Sequence, residues 1–133
     1  MENIRKFFAI PIEEIFNQIL GVAPVGIILC DPKGECIYVN RFWCEMTGLN
    51  EGESIKHGWM DAIHPKDKNQ IVEAWNSFVT GNTPFRKNFQ FLRPNLIVTW
   101  VRASATVLYD SHGKAIGFLG CVMDISNLQL KEL

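Results

Sequence analysis

The chain has 133 residues, of which 47% are hydrophobic and 20% charged, and its formal net charge is -1. A chain of this length forms one domain with a core of its own. The near-neutral charge argues against a surface built for nucleic acid or anionic lipid. No apolar run reaches the roughly 20 residues of a membrane span, and the N-terminus lacks the order of a secretory signal. We therefore expect a cytoplasmic protein without membrane contact.

Apolar residues recur with a helical period between residues 4 and 20, and Pro11 interrupts the pattern. Such a stripe predicts an amphipathic segment made of one or two helices. We expect residues 1–20 to form a helical cap, which either covers the core or makes a dimer contact.

Turn-forming residues divide the rest of the chain into strands. Asp31-Pro32-Lys33-Gly34 and Asp110-Ser111-His112-Gly113 have the composition of tight hairpin turns, and Arg93-Pro94-Asn95 marks a third turn. The β-rich runs between them predict five strands, near residues 25–30, 36–39, 85–92, 96–109 and 115–124. Hairpins of this kind make the sheet mostly antiparallel.

The forty-five residues between the second and third strands have helical patterns. "NRFWCEMTG" predicts a short helix closed by Gly48. A longer helix is predicted after Pro65 and ends at Gly81, with one apolar face formed by Ile71, Val72, Trp75, Phe78 and Val79. The fold class is therefore α+β, with a core at residues 21–126 and helices gathered on one face of the sheet.

The strand at 96–109 has apolar residues on both faces. Val101 and Ala103 share one parity, whereas Val98 and Trp100 share the other. An apolar patch on the outer face of a sheet needs a cover. We expect the N-terminal segment, in a homodimer formed through that segment and this face, to provide it.

The C-terminal stretch "DISNLQLKEL" contains Ser126 followed three residues later by Gln129, which is the pattern of a capping box. A helix is therefore predicted to begin at about residue 127. No stop signal precedes Leu133, so we expect residues 127–133 to be the start of an exit helix that leads to a covalently linked effector domain.

His57, Asp61, His64 and Asp67 lie within eleven positions and raise the question of a metal or acid/base site. Pro65 and Asp67 suit the first turn of the long helix, where a carboxylate meets the exposed N–H groups. The four side chains straddle a helix boundary and have no reason to converge. We interpret the cluster as scaffold and predict no metal site and no catalytic residue.

Four cysteines, Cys30, Cys36, Cys44 and Cys121, form no C-x-x-C pair. Three of them lie in apolar strand-like or helix-like contexts, which predicts buried free thiols. Cys30 and Cys36 flank a turn, and a disulfide between them is the alternative that a reducing compartment makes less favourable.

The ordered set of segments resembles the PAS (Per-ARNT-Sim) sensory domain, of the type with a C-terminal PAC motif. The resemblance runs from about Phe16 to Leu128 and rests on "GIILCDPKGECIYVN", "RFWCEMTGL", "GWMDAIHPKDK", "WVRASATVLYDSHGKAIGFLG" and "CVMDIS". It implies a five-stranded antiparallel sheet of order 2-1-5-4-3 with helices enclosing a small apolar cavity.

The resemblance also implies the kind of function. By this resemblance, the chain is expected to be an input module, most often of a histidine kinase or of a cyclic-dinucleotide enzyme such as a diguanylate cyclase. Such a domain is not catalytic itself. Such a module binds a small ligand or mediates dimerisation. A pure protein–protein interaction module without a ligand is the alternative. A small standalone enzyme would need convergent polar residues in the cavity, of which the sequence offers few.

Two cofactors of the family are disfavoured by this sequence. Flavin-binding light sensors carry an Asn-Cys-Arg-Phe run after the short helix, where this chain has residues 48–52, "GLNEG". Haem-binding members use a histidine on the long helix, and residues 66–80 contain none. We therefore predict no cofactor and at most a small apolar ligand.

The predicted ligand-binding residues are those expected to line the cavity: Trp43, Met46, Trp59, Ile63, Trp75, Phe89, Phe91, Val101, Ala103, Cys121 and Met123. For each of them an ordinary place in the core is the alternative. The resemblance places the signal exit at Asp124, Ile125 and Ser126.

Overall fold

A computed structural model describes residues 11–22 and 24–126. Five strands form one antiparallel sheet in the order β2-β1-β5-β4-β3, which confirms the predicted topology. The strands begin and end within two residues of the predicted bounds: β1 Gly26–Cys30, β2 Cys36–Val39, β3 Phe85–Leu92, β4 Val98–Tyr109 and β5 Ala115–Asp124.

Aspartate side chains hold the two hairpin turns. In the first, Gly34 N–H donates to Asp31 O at 2.9 Å, and Asp31 Oδ1 accepts from Lys33 N–H and Glu35 N–H. Asp110 makes the same set of bonds in the β4–β5 turn. Strand β4 begins at Val98, two residues later than predicted, because Leu96 in the third turn adopts a left-handed φ of 67°.

The helices are α1 Ile12–Val22, α2 Arg41–Thr47, α3 Glu51–Ser54, a 3-10 helix at Gly58–Ala62, and α4 Pro65–Val79. Gly48 ends α2 with a left-handed φ of 75°, as predicted. The buried residues of α2, the 3-10 helix and α4 meet the buried residues of the sheet in one core. Within the described residues, no helix is long and apolar enough to cross a membrane.

Helix α1 begins directly after Pro11, whose carbonyl accepts from Glu14 N–H at 3.1 Å. Its main neighbour is α2. Within one chain, the described part of the N-terminal segment therefore packs beside α2, and cover of the outer face by this segment in a homodimer stays a prediction. Only three residues join α1 to β1, and α2 packs on β1, so α1 is held beside α2. The first part of the predicted cap, residues 1–10, and the predicted exit helix, residues 127–133, lie outside the described residues.

Trp75 of α4 lies at the centre of the core. Its ring contacts four aromatic rings with centroid distances of 5.4 to 6.1 Å, those of Trp59, Phe78, Phe85 and Phe118. Its indole N–H donates to Gly34 O at 3.2 Å. Gly34 has a φ of 85°, and a Cβ there would lie 2.8 Å from Val79 Cγ2. The turn between β1 and β2 therefore needs a glycine for both its conformation and its contact with α4.

Asn40 joins α2 to the start of β1. Its side chain is buried, and Oδ1 accepts from Trp43 N–H at 3.0 Å and from Ile27 N–H at 2.9 Å. Its Nδ2 donates to Val25 O at 2.9 Å. Asn40 therefore caps α2 and also satisfies half-buried backbone groups of another element.

Cys30 and Cys36 are paired across β1 and β2, and both are buried. Cys44 and Cys121 are only half-buried, and all four are free thiols. Burial raises the pKa of Cys30 from 9.0 to about 12 and that of Cys36 to about 11. Both groups are therefore neutral in the folded protein well above the pH at which an unfolded thiol ionises.

Replacing Asn40 by Ala removes a helix cap and leaves three backbone groups, one buried and two half-buried, without these partners. We expect Asn40→Ala to lower the free energy of unfolding by about 3 kcal/mol. Asn50 is the matched control, because its Oδ1 caps α3 by accepting from Glu53 N–H at 2.8 Å in an exposed position. Asn50→Ala should cost about 1 kcal/mol in the same urea titrations. Equal losses for the two variants would contradict the bridging role of Asn40.

Alkaline pH should destabilise the fold through Cys30. Between pH 9 and 12 the folded state keeps a thiol proton that the unfolded state has lost, so stability falls by about 1.4 kcal/mol per pH unit. In Cys30→Ala the loss of unfolding free energy from pH 8 to pH 10 should be smaller by about 1.4 kcal/mol than in the wild type. Ile28→Val, which also removes a buried group from β1 but nothing that ionises, should keep the wild-type slope. An unchanged slope in Cys30→Ala would contradict the raised pKa.

Candidate functional site

The four residues of the suspected metal cluster do not converge. His57 Nε2 lies 3.6 Å from Glu35, and Asp61 lies 3.4 Å from Lys68. His64 Nδ1 accepts from Lys66 N–H at 3.1 Å in the first turn of α4. Over residues 11–22 and 24–126, no group of three or more His, Cys, Asp or Glu side chains is placed to hold a metal ion.

Asp67 lies in the first turn of α4, as predicted, and also binds a neighbouring strand. Its carboxylate accepts from Gln90 N–H of β3 at 3.0 Å. His64 N–H in turn donates to Gln90 O at 2.9 Å. Both backbone groups of an edge-strand residue are thus bound by the start of α4. The sequence pattern showed the helix start, but the pairing with β3 depends on tertiary contact.

A cavity of about 30 Å³ lies between the helices and the sheet. Its wall consists of the side chains and backbone of Ile28, Trp43, Trp59, Trp75, Phe85, Phe89, Phe91, Ala103, Ser104, Ala105, Gly120, Cys121 and Val122. A cavity needs about 10 to 15 Å³ to hold one water molecule. The space therefore takes about two water-sized groups, and it is enclosed mainly by aromatic rings.

Seven of the predicted ligand-binding residues border this cavity: Trp43, Trp59, Trp75, Phe89, Phe91, Ala103 and Cys121. Met46, Ile63 and Val101 are buried in the core but do not border the cavity. Met123 is 48% exposed and pairs with Arg102 rather than pointing into the core. Its placement in the cavity wall was wrong, because β5 turns its even-numbered residues, Phe118 and Val122, inward.

The prediction missed Ile28, Phe85, Ser104, Ala105, Gly120 and Val122. Gly120 offered a signal, since an isolated glycine in a strand marks a close approach. In the structure a Cβ at Gly120 would lie 2.7 Å from Ile28 Cγ2. The sheet forms the floor of the cavity, that is, the part of its wall opposite the helices. The register of β5, in which Val122 pairs with Ala103, decides which other strand residues belong to this floor.

Three tryptophans border the cavity, and their indole N–H groups differ. Trp43 Nε1 donates to Ser54 Oγ at 3.1 Å, and Trp75 Nε1 donates to Gly34 O at 3.2 Å. Trp59 Nε1 is buried and has no hydrogen-bond partner among the described residues. The whole Trp59 residue is 6% exposed.

The cavity wall has little capacity for catalysis. Cys121 is its one ionisable residue among those that the structure describes, and burial raises the pKa of its thiol. Its side chain lies on the odd-numbered face of β5, opposite to the inward face of Phe118 and Val122. No histidine or carboxylate borders the space, so the described wall contains no acid/base pair. The wall is suited to binding an apolar molecule by shape.

The predicted exit residues follow directly from the cavity floor. Ile125, which is 2% exposed, donates its N–H to Trp100 O at 2.8 Å. Asp124 Oδ1 accepts from Ser126 N–H at 2.8 Å, and Ser126 has a helical conformation. The end of β5 is therefore anchored on β4, three residues after Val122 of the cavity wall.

The outer face of the sheet carries exposed apolar side chains. Val98 is 43% exposed and Met123 is 48% exposed. Trp100 is half-buried, and Lys66 Nζ lies 5.8 Å from the centroid of its ring. The apolar patch predicted on this face is therefore present, and α1 does not cover it.

Curated relatives are similar over most of this chain. An uncharacterised protein, y4lL, of Sinorhizobium fredii is 29% identical over 120 residues, which are 90% of this chain and 14% of that protein. The bacterioopsin transcriptional activator of Halobacterium salinarum is 25% identical over 114 residues, which are 83% of this chain and 17% of that protein. The chain thus spans about a sixth of the length of these relatives.

Solved structures share the fold. A PAS domain from Colwellia psychrerythraea has a TM-score of 0.71 and 18% identity, with 88% of this chain and 99% of that chain covered. A sensory box histidine kinase/response regulator from Burkholderia thailandensis has a TM-score of 0.64 and 18% identity, with 88% of both chains covered. A light-oxygen-voltage domain studied with a flavin analogue has a TM-score of 0.70 and 16% identity, with 90% of both chains covered.

The family model described as "PAS fold" matches residues 36–122. This segment runs from β2 through the helices to the cavity floor on β5. The strand order β2-β1-β5-β4-β3 agrees with the match. This chain belongs to the PAS fold family.

Proposed function

We propose that this chain is the sensory input module of a longer cytoplasmic signalling protein, a histidine kinase or a diguanylate cyclase. A small apolar ligand occupies the cavity, and the conformational change that its binding causes is passed along β5 to a downstream effector domain. The observation that carries the proposal is the continuity of wall and exit: Val122 borders the cavity, and Ile125 is anchored on β4 three residues later.

The longer parent protein is supported by the relatives, in which the matching segment is 14% and 17% of the whole. A sensory box histidine kinase among the similar structures supports the type of effector. The module itself provides no catalysis in this proposal, since its cavity wall lacks an acid/base pair. Recognition of nucleic acid or membrane is not part of it, because the net charge is only -1.

The ligand in this proposal is smaller than flavin or haem. Pockets that bury drug-sized or cofactor-sized ligands have volumes of roughly 300 to 1,000 Å³, whereas this cavity has about 30 Å³. The aromatic wall is closely packed, so a large ring system would need extensive rearrangement. His64 Nδ1 already accepts a backbone hydrogen bond, which makes it a poor iron ligand.

Filling the cavity should protect the exit segment from hydrogen exchange. Isobutene is a compact apolar probe, and because its four heavy atoms exceed the two water-sized groups that the cavity takes, its binding requires a small outward shift of the wall. At a concentration ten times its Kd it should slow exchange of the Ile125 amide about tenfold, since openings that disrupt the cavity release the ligand. The measurement is amide exchange by NMR, with and without isobutene.

The Gly113 amide is the internal control for that experiment. It donates to Asp110 O in the β4–β5 turn, outside the cavity wall, and its exchange should not change. Binding of isobutene without any effect on Ile125 would refute the coupling of cavity and exit.

A second candidate function is a protein-interaction module that forms a homodimer without a ligand. Val98, Trp100 and Met123 favour it, because they place apolar area on the outer face of the sheet. The predicted interface combines this face with the N-terminal helix. A second copy of the chain that covers Trp100 would bury a large aromatic surface, as interfaces commonly do.

A charge at Trp100 should therefore weaken the dimer. We expect Trp100→Glu to raise the dimer dissociation constant by about thirtyfold, the effect of losing a central aromatic contact. Tyr109→Glu is the control, since Tyr109 is an exposed aromatic residue at the end of the same strand. Sedimentation velocity measures both, with and without residues 1–20. A monomeric wild type, or equal effects of the two substitutions, would count against the interface.

A further inference from the structure

Strand β3 lies at one end of the sheet, and its outer edge has free backbone groups over residues 85–89. The strand pairs with β4 without a bulge, so its residues alternate between those that bond β4 and those that face away. Gln90 faces away, because its N–H and O are bound by Asp67 and His64. Arg86 and Asn88 share this parity, and among the described residues their backbone groups have no hydrogen-bond partner outside the sheet.

This free edge of β3, residues 85–89, is bounded on both sides. From Gln90 onward, the start of α4 and a bridge between Ile63 and Phe91 cover the strand. On the other side Pro84 precedes the strand and has no N–H to donate. The N–H and O groups of two residues therefore remain, enough to bond one extended peptide of about five residues.

The side chains around the free edge carry charge of a single sign. Arg86 and Lys87 belong to the edge itself. Arg102 of β4 lies opposite Asn88, and its Nε donates to Asn88 Oδ1 at 3.0 Å. None of these three cations has an ion pair among the residues that the structure describes. The free edge therefore attracts an anionic partner.

Neighbouring acidic residues do not neutralise this charge. Strands β3 and β4 contain no aspartate or glutamate. Asp67 of α4 is already bound to Gln90 N–H, beyond the free edge. Glu73 is exposed and lies six positions after Asp67, so it points about 120° away from Asp67 around the helix axis. The anionic partner therefore comes from outside these elements.

Two other occupants fit the free edge less well. A second copy paired at this edge would bring Arg86 and Lys87 of both chains together, and like charges opposed across strands are destabilising. A single-stranded nucleic acid would use the charge, but its phosphodiester backbone has no N–H groups to donate to the carbonyls of Arg86 and Asn88. An extended acidic peptide satisfies both the backbone groups and the charge.

We infer that the free edge of β3 binds an extended acidic peptide segment of a partner protein by strand addition. The backbone of the segment bonds Arg86 and Asn88, and its carboxylates lie beside Arg86 and Arg102 on the outer face of the sheet. In this mode main-chain bonds give affinity and side chains give selectivity. The inference goes beyond the proposed sensory role and does not depend on a ligand in the cavity.

A designed peptide tests the inference on the full chain. Thr-Glu-Val-Glu-Val-Glu-Thr combines β-favouring residues with carboxylates that share one face of a strand. In NMR titrations at low ionic strength it should shift the amide protons of Arg86 and Asn88 downfield and slow their exchange, because both N–H groups gain an acceptor. The Gly113 amide is the internal control, since it already donates to Asp110 O.

Two control peptides separate backbone pairing from charge. N-methylation of the central amides keeps the carboxylates but removes the donors that bond the strand, so the methylated peptide should not protect Arg86 or Asn88. Replacing the glutamates by lysine keeps the donors but reverses the charge, so this peptide should bind at least tenfold more weakly.

Charge reversal in the chain is the matched test. We expect Arg86→Glu to raise the Kd of the acidic peptide about tenfold, because repulsion replaces attraction at the contact. Lys114→Glu makes the same change of net charge in the exposed β4–β5 turn, at the far end of β4 from the free edge. Its effect should stay below about twofold, since salt screens a distant charge.

Several results would overturn the inference. These are failure of the acidic peptide to bind, equal binding of the methylated peptide, and equal effects of Arg86→Glu and Lys114→Glu. Protection of Asn88 that needs no peptide and grows with protein concentration would assign the edge to a second copy instead. Tighter binding of a single-stranded oligonucleotide than of the peptide would assign it to nucleic acid. None of these results bears on the cavity, which isobutene and the Ile125 amide test separately.

Discussion

The packing of the Trp75 side chain is the constraint on which the rest of the structure depends. One side chain of α4 packs against rings from the 3-10 helix, β3 and β5, and its N–H holds the β1–β2 turn at Gly34 O. Aromatic pairs of this kind contribute both buried area and a preferred geometry. Because the contacting residues are far apart in the sequence, from Gly34 to Phe118, they fix the helical layer over the sheet and leave the small cavity beside it.

Polar groups at the borders of this core are satisfied by residues from other elements. Asp67 and His64 bind both backbone groups of Gln90, and Asn40 binds backbone groups at the start of β1. Against this background the unsatisfied Trp59 N–H stands out as the one such side-chain group among the described residues. The proposed ligand site and the proposed signal path are therefore neighbours: the cavity floor on β5 continues into the Ile125 anchor on β4.

The fold could be predicted from the sequence to a large extent, because its determinants are local. Asp31 and Asp110 hold their turns through bonds to residues two to four positions away. Gly48 ends α2 by its own backbone conformation. The strand bounds and the resemblance to PAS domains followed from such signals. The position of α1 beside α2 did not, since it depends on packing between elements.

The candidate site was predictable only in part. Its aromatic composition, including Trp43, Trp59 and Trp75, was evident from the sequence alone. The face of β5 was not, because nearly every residue of that strand is apolar and a shift of one position exchanges the two faces; its pairing with β4 and β1 placed Val122 inside and Met123 outside. Likewise the three indoles are chemically identical in the sequence, and only tertiary packing decided which of them lacks an acceptor, because a hydrogen bond depends on distances that residue type does not specify.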